Sequence, residues 1–167
     1  MFSINPSPLT TERLALEPLR VEHAAEMVDV LADPSTYEYI GGEPPSEAEL
    51  AARYLRQTGG RSPDGRQVWL NWVARRREDG DAIGTVQATV SEDGSAELAW
   101  VISTSAQGNG YATEGTSAVI AWLRDQGITA FVAHIHPEHS ASVRVARRLG
   151  FERKNCVKDG ELRWERE

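Results

Sequence analysis

The residues best able to act as a chemical group lie at Gln107-Gly108-Asn109-Gly110-Tyr111-Ala112-Thr113, between an apolar run and a run of helical character. A helix starting here leaves its first backbone N–H groups without partners, and its dipole puts roughly half a positive charge at the same end. Gly108 and Gly110 remove side chains that would hold a ligand away, and they permit the positive φ that a curling backbone needs. The chemistry on offer is the grip of a phosphate or pyrophosphate. A nucleotide-hydrolysis loop would end in Gly-Lys-Ser/Thr, and residues 102–115 contain no lysine. A dinucleotide fingerprint would place a third glycine where Thr113 stands, in an early strand–helix–strand unit. Two glycines alone fit equally well a helix-entry turn that holds nothing.

Other reactive groups are sparse. Cys156 is the single cysteine, so neither an intrachain disulfide nor a cysteine zinc site can form, and it reads as a small buried filler. No metal is expected.

The elements that must position the loop follow from periodicity. Residues 1–10 are polar and proline-bearing and read as a loose lead-in. Residues 13–19 alternate as a strand, and 21–31 carry apolar residues at helical spacing until Asp33-Pro34. Ser46 with Glu49 has the capping-box spacing for a helix running to about Gln57. Residues 68–75, 83–90 and 96–102 read as three strands joined by Asp-Gly turns, and so as antiparallel neighbours. The pattern then changes to a helix over 110–125, an apolar strand over 129–135 and a helix over 140–149 closed by Gly150. Two short strands, 151–157 and 162–165, flank a Lys158-Asp159-Gly160 turn. The fold class is α+β: one domain over 1–167, with a mixed, mostly antiparallel sheet.

Composition narrows the partners. The chain has 167 residues, 40 % hydrophobic and 26 % charged, as expected of one globular domain. Eighteen basic against 25 acidic residues give a net charge of −7, which disfavours nucleic-acid binding and suits either a cationic substrate or simple solubility. No apolar run is long enough to span a membrane, and the start lacks a secretory pattern, so a cytoplasmic location is expected.

The segment Gln107-Gly108-Asn109-Gly110-Tyr111-Ala112 matches in full the coenzyme motif Gln/Arg-x-x-Gly-x-Gly/Ala, and the chain resembles the GNAT superfamily. Trp100–Ser103 and Ala112-Thr113-Glu114 around the motif are similar to the RimJ/RimL-like branch. So are Thr11-Glu12-Arg13-Leu14, Asp33-Pro34, His136-Pro137, Ser142 and Leu149-Gly150-Phe151, and the likeness covers residues 10–157.

The resemblance implies a GNAT-like domain with a splayed parallel strand pair, acetyl-CoA as acyl donor and transfer to a primary amine. That amine would be a protein N-terminus or a small molecule, attacking directly without a covalent enzyme intermediate. The amides of 108–113 would hold the coenzyme pyrophosphate. Val101, Ile102 and Ser103 would pair with the pantetheine arm, one of their N–H groups polarising the thioester carbonyl.

The family commonly places a tyrosine proton donor at the position of Ala146, which offers none; Ser142, one turn earlier, is the candidate coenzyme ligand and acid. His139 stands where the family often has asparagine, either keeping a donor toward the coenzyme or shuttling protons. Glu97 is the candidate base, or else a solvent-facing strand residue; Glu114 reads as structural. Arg144, Arg147 and Arg148 would reach the 3′-phosphate or form a solvated helix face, while Glu38 and Glu43 would line an acceptor site or lie free at the surface.

Freeing a lysine amine at pH 7 costs about 4.6 kcal/mol against about 1 kcal/mol for an α-amine, so a low-pKa amine is the easier acceptor. The alternative is a non-catalytic module that senses acyl-CoA. Monomer and homodimer both remain open.

Overall fold

The computed structural model describes residues 4–167. In chain order the strands and helices are β1 (Leu9–Thr10), β2 (Leu14–Pro18), α1 (Ala24–Val30), α2 (Glu47–Gln57), β3 (Val68–Arg76), β4 (Ala82–Val90) and β5 (Ser95–Ile102). They continue as α3 (Tyr111–Asp125), β6 (Ala130–Ile135), α4 (Ser140–Arg148), β7 (Glu152–Lys158) and β8 (Glu161–Arg166). One eight-stranded sheet runs in the order β1-β2-β3-β4-β5-β6-β8-β7, antiparallel except where β5 meets β6.

Each face of the sheet has its own apolar cluster. Leu14, Leu70, Val86, Leu98, Val119, Leu123 and Phe131 pack under α3 and α4. Met27, Leu50, Tyr54 and Val73 pack under α1 and α2. The alternation of β5 follows: Ala96, Leu98 and Ile102 are buried on the first side, and Val101 packs on the second.

Two sequence expectations change in detail. The lead-in, whose first three residues lie outside the described residues, is tied down at its end: Leu9 pairs with Leu16, and Trp72 Nε1 donates to the Ser7 carbonyl at 2.8 Å. Of the three Asp-Gly turns, only Asp159-Gly160 is a two-residue turn with both φ angles positive. At Gly80 and Gly94 the glycine alone has positive φ, within longer connections.

The feature that matters for chemistry is a wedge. β5 pairs with β6 only at Ser95–Ala130, Ala96–Phe131 and Glu97–Val132, while on its other edge it stays paired with β4 out to Ile102. Beyond Glu97 the two parallel strands part, and one edge of β5 is left open. Gly84 of β4 lies opposite Ile102, and a Cβ there would stand 2.0 Å from the Val101 carbonyl oxygen. Only glycine lets β4 lie so close to this end of β5.

Candidate active site

Past β5, residues 104–106 form a single 3₁₀ turn, and the chain then curls through Gly108 and Gly110, both at φ 82°, into α3. Gly110 is the N-cap and brings no side-chain cap, so the first amides of α3 have no protein acceptor supplied at that position. The polar side chains of the loop face inward. Gln107 Nε2 donates to the Ile102 carbonyl at 2.9 Å, and Asn109 Nδ2 donates to the carbonyls of Ala106 and Gln107 at 3.1 and 3.2 Å. Their work is to shape the loop.

The amides open onto a cleft of about 530 Å³, walled by Val101 and Ile102, by Gln107, Gly108 and 110–113 of the loop, and by His139, Ser142, Arg144 and Arg148 beside α4. Thr113 Oγ1, in the first turn of α3, is buried without a hydrogen-bond partner among the described residues. Thus Val101, Ile102, Gln107, Gly108, Gly110, Tyr111, Ala112, Thr113, His139 and Ser142 are brought together. Asn109 and Ser103 are outside the lining.

Ser103 cannot donate to a ligand along β5, because its N–H already meets the Ile83 carbonyl at 2.8 Å. In an antiparallel ladder, alternate residues face the same neighbour, so Val101 also turns its N–H to β4. The N–H groups on the open edge are those of Trp100 and Ile102. Of the three donors implied by family resemblance, only Ile102 is free, and Trp100, which also lines the cleft, was missed. The parity of a single turn contact was the missing signal.

Around α4, Ser142 is buried and its Oγ lies 3.3 Å from His139 Nε2. Tyr39 stacks on the His139 ring at 5.0 Å between centroids and tilts against His136 at 5.2 Å. Burial lowers the His139 pKa, His136 lowers it further, and Glu38 offsets only part of this, so the ring is neutral near pH 7. Ala146 is fully buried in the core. Of the three arginines, Arg144 and Arg148 line the cleft, while Arg147 lies over the Trp164 ring. Glu38 lines the cleft, and Glu43 does not.

Glu97 is outside the cleft, at the root of the wedge, half-exposed, with Oε1 2.7 Å from His134 Nδ1. Glu114 is structural: it accepts from Thr11 Oγ1 at 2.5 Å and from the Arg13 N–H and Nε at 2.9 and 2.7 Å. Burial alone would raise its pKa, but these hydrogen bonds and the guanidinium charge hold the carboxyl below its usual range. Cys156 is exposed on the all-exposed edge strand β7, contrary to the buried filler that its type suggests. Among the described residues no cluster of His, Cys, Asp or Glu is placed to hold a metal ion, and no helix is long and apolar enough to cross a membrane.

Residues 13–152 match the family model described as acetyltransferase (GNAT) domain. The uncharacterized N-acetyltransferase p20 of Bacillus licheniformis is 24 % identical over 160 residues, covering 92 % of this chain and 86 % of that protein. Among solved structures, the RimL ribosomal L7/L12 α-N-protein acetyltransferase in complex with coenzyme A superposes with TM-score 0.83 at 17 % identity, covering 96 % of this chain and 97 % of that one. An acetyltransferase from Salmonella typhimurium, described as modifying the N-terminal serine of ribosomal protein L7/L12, gives 0.82 at 15 % identity, covering 96 % and 98 %.

Proposed function

From the premise that this chain belongs to the GNAT acetyltransferase family, we propose that it moves an acetyl group from acetyl-CoA to a primary amine by direct attack. The observation that carries this reading is the uncapped head of α3 opening onto a cleft that continues along the free edge of β5. Amides at a helix start are a ready anion site, here for the coenzyme pyrophosphate, with Arg144 and Arg148 on the rim for further phosphate.

The pantetheine arm adds itself to the open edge as an extra strand would. The Ile102 or Trp100 N–H then polarises the thioester carbonyl, a contribution worth about 10²–10³ in rate. The amine nitrogen attacks the carbonyl carbon, a C–N bond forms and the C–S bond breaks. The proton shed by nitrogen leaves through water for Glu97, which lies outside the cleft lining and which His134 holds in place. The thiolate takes a proton from Ser142, and the proton released at Glu97 restores the serine hydroxyl through water; with the His139 proton on Nε2, that ring donates to Ser142 Oγ and leaves the hydroxyl hydrogen for sulfur. The products are the N-acetyl amine and free coenzyme A.

A charge-only pair of variants tests the phosphate site. Asn and Asp both tolerate the left-handed φ of Gly110. Gly110→Asp should weaken coenzyme A binding at least tenfold more than Gly110→Asn, read by titration calorimetry. Equal affinities would remove the phosphate from this loop. Tight binding without thiol release across an amine panel would make the protein a sensor of acyl-CoA.

A further inference from the structure

His139 supports Ser142, yet little on its own element supports His139. It stands at the head of α4, and its side chain makes no cap to that helix. Among the described residues its ring has one hydrogen bond, the 3.3 Å contact with Ser142 Oγ, which is long for its kind. The outer torsion of a histidine is broad, so a single long contact leaves the ring plane loosely set. The plane is fixed from a distant part of the chain.

Asp33 Oδ2 accepts from Thr104 Oγ1 at 2.7 Å and pins residues 34–40 to the turn after β5. Tyr37 Oη donates to the Leu31 carbonyl at 2.9 Å, and the strap so held ends at Gly41 and Gly42, both at positive φ. Near its end Tyr39 stacks on the His139 ring, with 5.0 Å between centroids and 22° between planes. Its other ring neighbour is His136, at 5.2 Å and 40°. His136 is itself steadied, because its Nδ1 accepts from the Glu138 N–H at 3.1 Å. Three rings are thus in contact: His136 steadies Tyr39, and Tyr39 sets the plane in which His139 meets Ser142.

We propose that Tyr39 is a positioning residue for proton delivery to the leaving thiolate: its ring holds His139 with Nε2 beside Ser142 Oγ, so the acid is complete only with residues 34–40 in place along the cleft. The proposal rests on the acetyl-transfer reading and on Ser142 as the acid. It requires the Tyr39 ring and not the Tyr39 hydroxyl.

The test uses the full chain, saturating acetyl-CoA, and whichever of glycinamide, phenylalaninamide and spermidine is turned over fastest. Tyr39→Leu should lower kcat about three- to tenfold, the scale of one lost ring pair, with amine KM and coenzyme affinity held within about twofold. Tyr39→Phe, which keeps the ring, should restore kcat to within about twofold. In a His139→Asn background, Tyr39→Leu should cost no more than about a further twofold, since the ring it orients is gone. Tyr39 is only half-buried, so the thermal midpoint should stay within about 2 °C. Losses that multiply in the double variant, or a Tyr39→Phe as slow as Tyr39→Leu, would overturn the proposal.

The His139 imidazole signals read the same contact without turnover. Burial chiefly lowers the His139 pKa, His136 adds to this and Glu38 opposes it. Glu138 and Tyr39, with Arg144 and Arg148 on the α4 wall, complete the charged or titratable surroundings. Uncovering the ring by Tyr39→Ala should move its NMR titration midpoint up toward 6.5; an unmoved midpoint would also overturn the proposal. If the unaltered protein binds coenzyme A but turns over no amine, the transfer reading falls, and the titration alone then decides whether Tyr39 holds the ring.

Discussion

At the scale of single residues, the site divides into groups that face the ligand and groups that hold them. Gln107 is the first residue of the motif, yet its amide is spent on the Ile102 carbonyl, locking that carbonyl while the Ile102 N–H stays free. The sequence names Gln107 but cannot reveal this, because the contact depends on how the turn at 104–106 folds back. Ser142 and His139 were each legible as candidates, but the contact between them was not; nor was Tyr39, stacked on His139, since it arrives from a segment about a hundred positions away. Ser142→Ala should cut kcat by about 10²-fold, as expected for loss of a proton donor, and His139→Asn by about tenfold, both with coenzyme affinity held within about threefold. Single-turnover measurements would check this, and an undiminished rate in Ser142→Ala would send the proton by another route. Glu97→Gln should slow turnover with coenzyme affinity unchanged, and an unaltered pH–rate profile would free Glu97 of the base role.

At the scale of elements, most of the architecture was readable because each segment carries a clean period or cap. Ser46 accepts from the Glu49 N–H while Glu49 accepts from the Ser46 N–H, both at 3.1 Å, as the spacing implies. Ser46→Ala should cost about 1 kcal/mol, a fall of about 2–4 °C in thermal midpoint. The wedge between β5 and β6 was not readable from periodicity. Val132 and Ala133 are equally apolar and buried whether or not a neighbour pairs with them, so the end of pairing leaves no mark on composition. Nor was the demand on Gly84, which sits in an ordinary alternating strand. Gly84→Ala should destabilise by about 1–3 kcal/mol as an overpacked contact and displace the Val101–Ile102 rung. Denaturant melts would show the first effect, and weakened acetyl-CoA binding the second.

At the scale of the whole molecule, the −7 net charge is distributed by local pairing as much as by solvation. Arg75 binds Glu17 and Glu26, each at 2.8 Å, and ties β2, β3 and α1 together. Hydrogen bonds and charge from Arg75 hold both carboxyls below their usual range, against the opposing effect of burial. A depressed folded pKa gives stability that is full above the unfolded value near 4.5 and is lost as pH falls through the folded values. Arg75→Met should therefore lower the thermal midpoint by about 2–4 °C at pH 7, on an assumed loss of about 1 kcal/mol. The gap should narrow as pH falls below 4.5 and through the folded values; a constant gap would assign the loss to packing.

The clasp between the chain start and α3 has an electrical consequence. Glu114 sits in the first turn of α3, where a bare anion would oppose any phosphate brought to the same amides. Arg13, reaching its carboxylate at 2.7 Å and covering the Tyr111 ring at 4.4 Å, cancels that charge from outside the cleft lining. The field a polyanion meets on approach is thus set partly by a residue a hundred positions upstream. Arg13→Gln should make coenzyme A capture slower and shallower in its dependence on ionic strength, although no atom of the ligand need touch it.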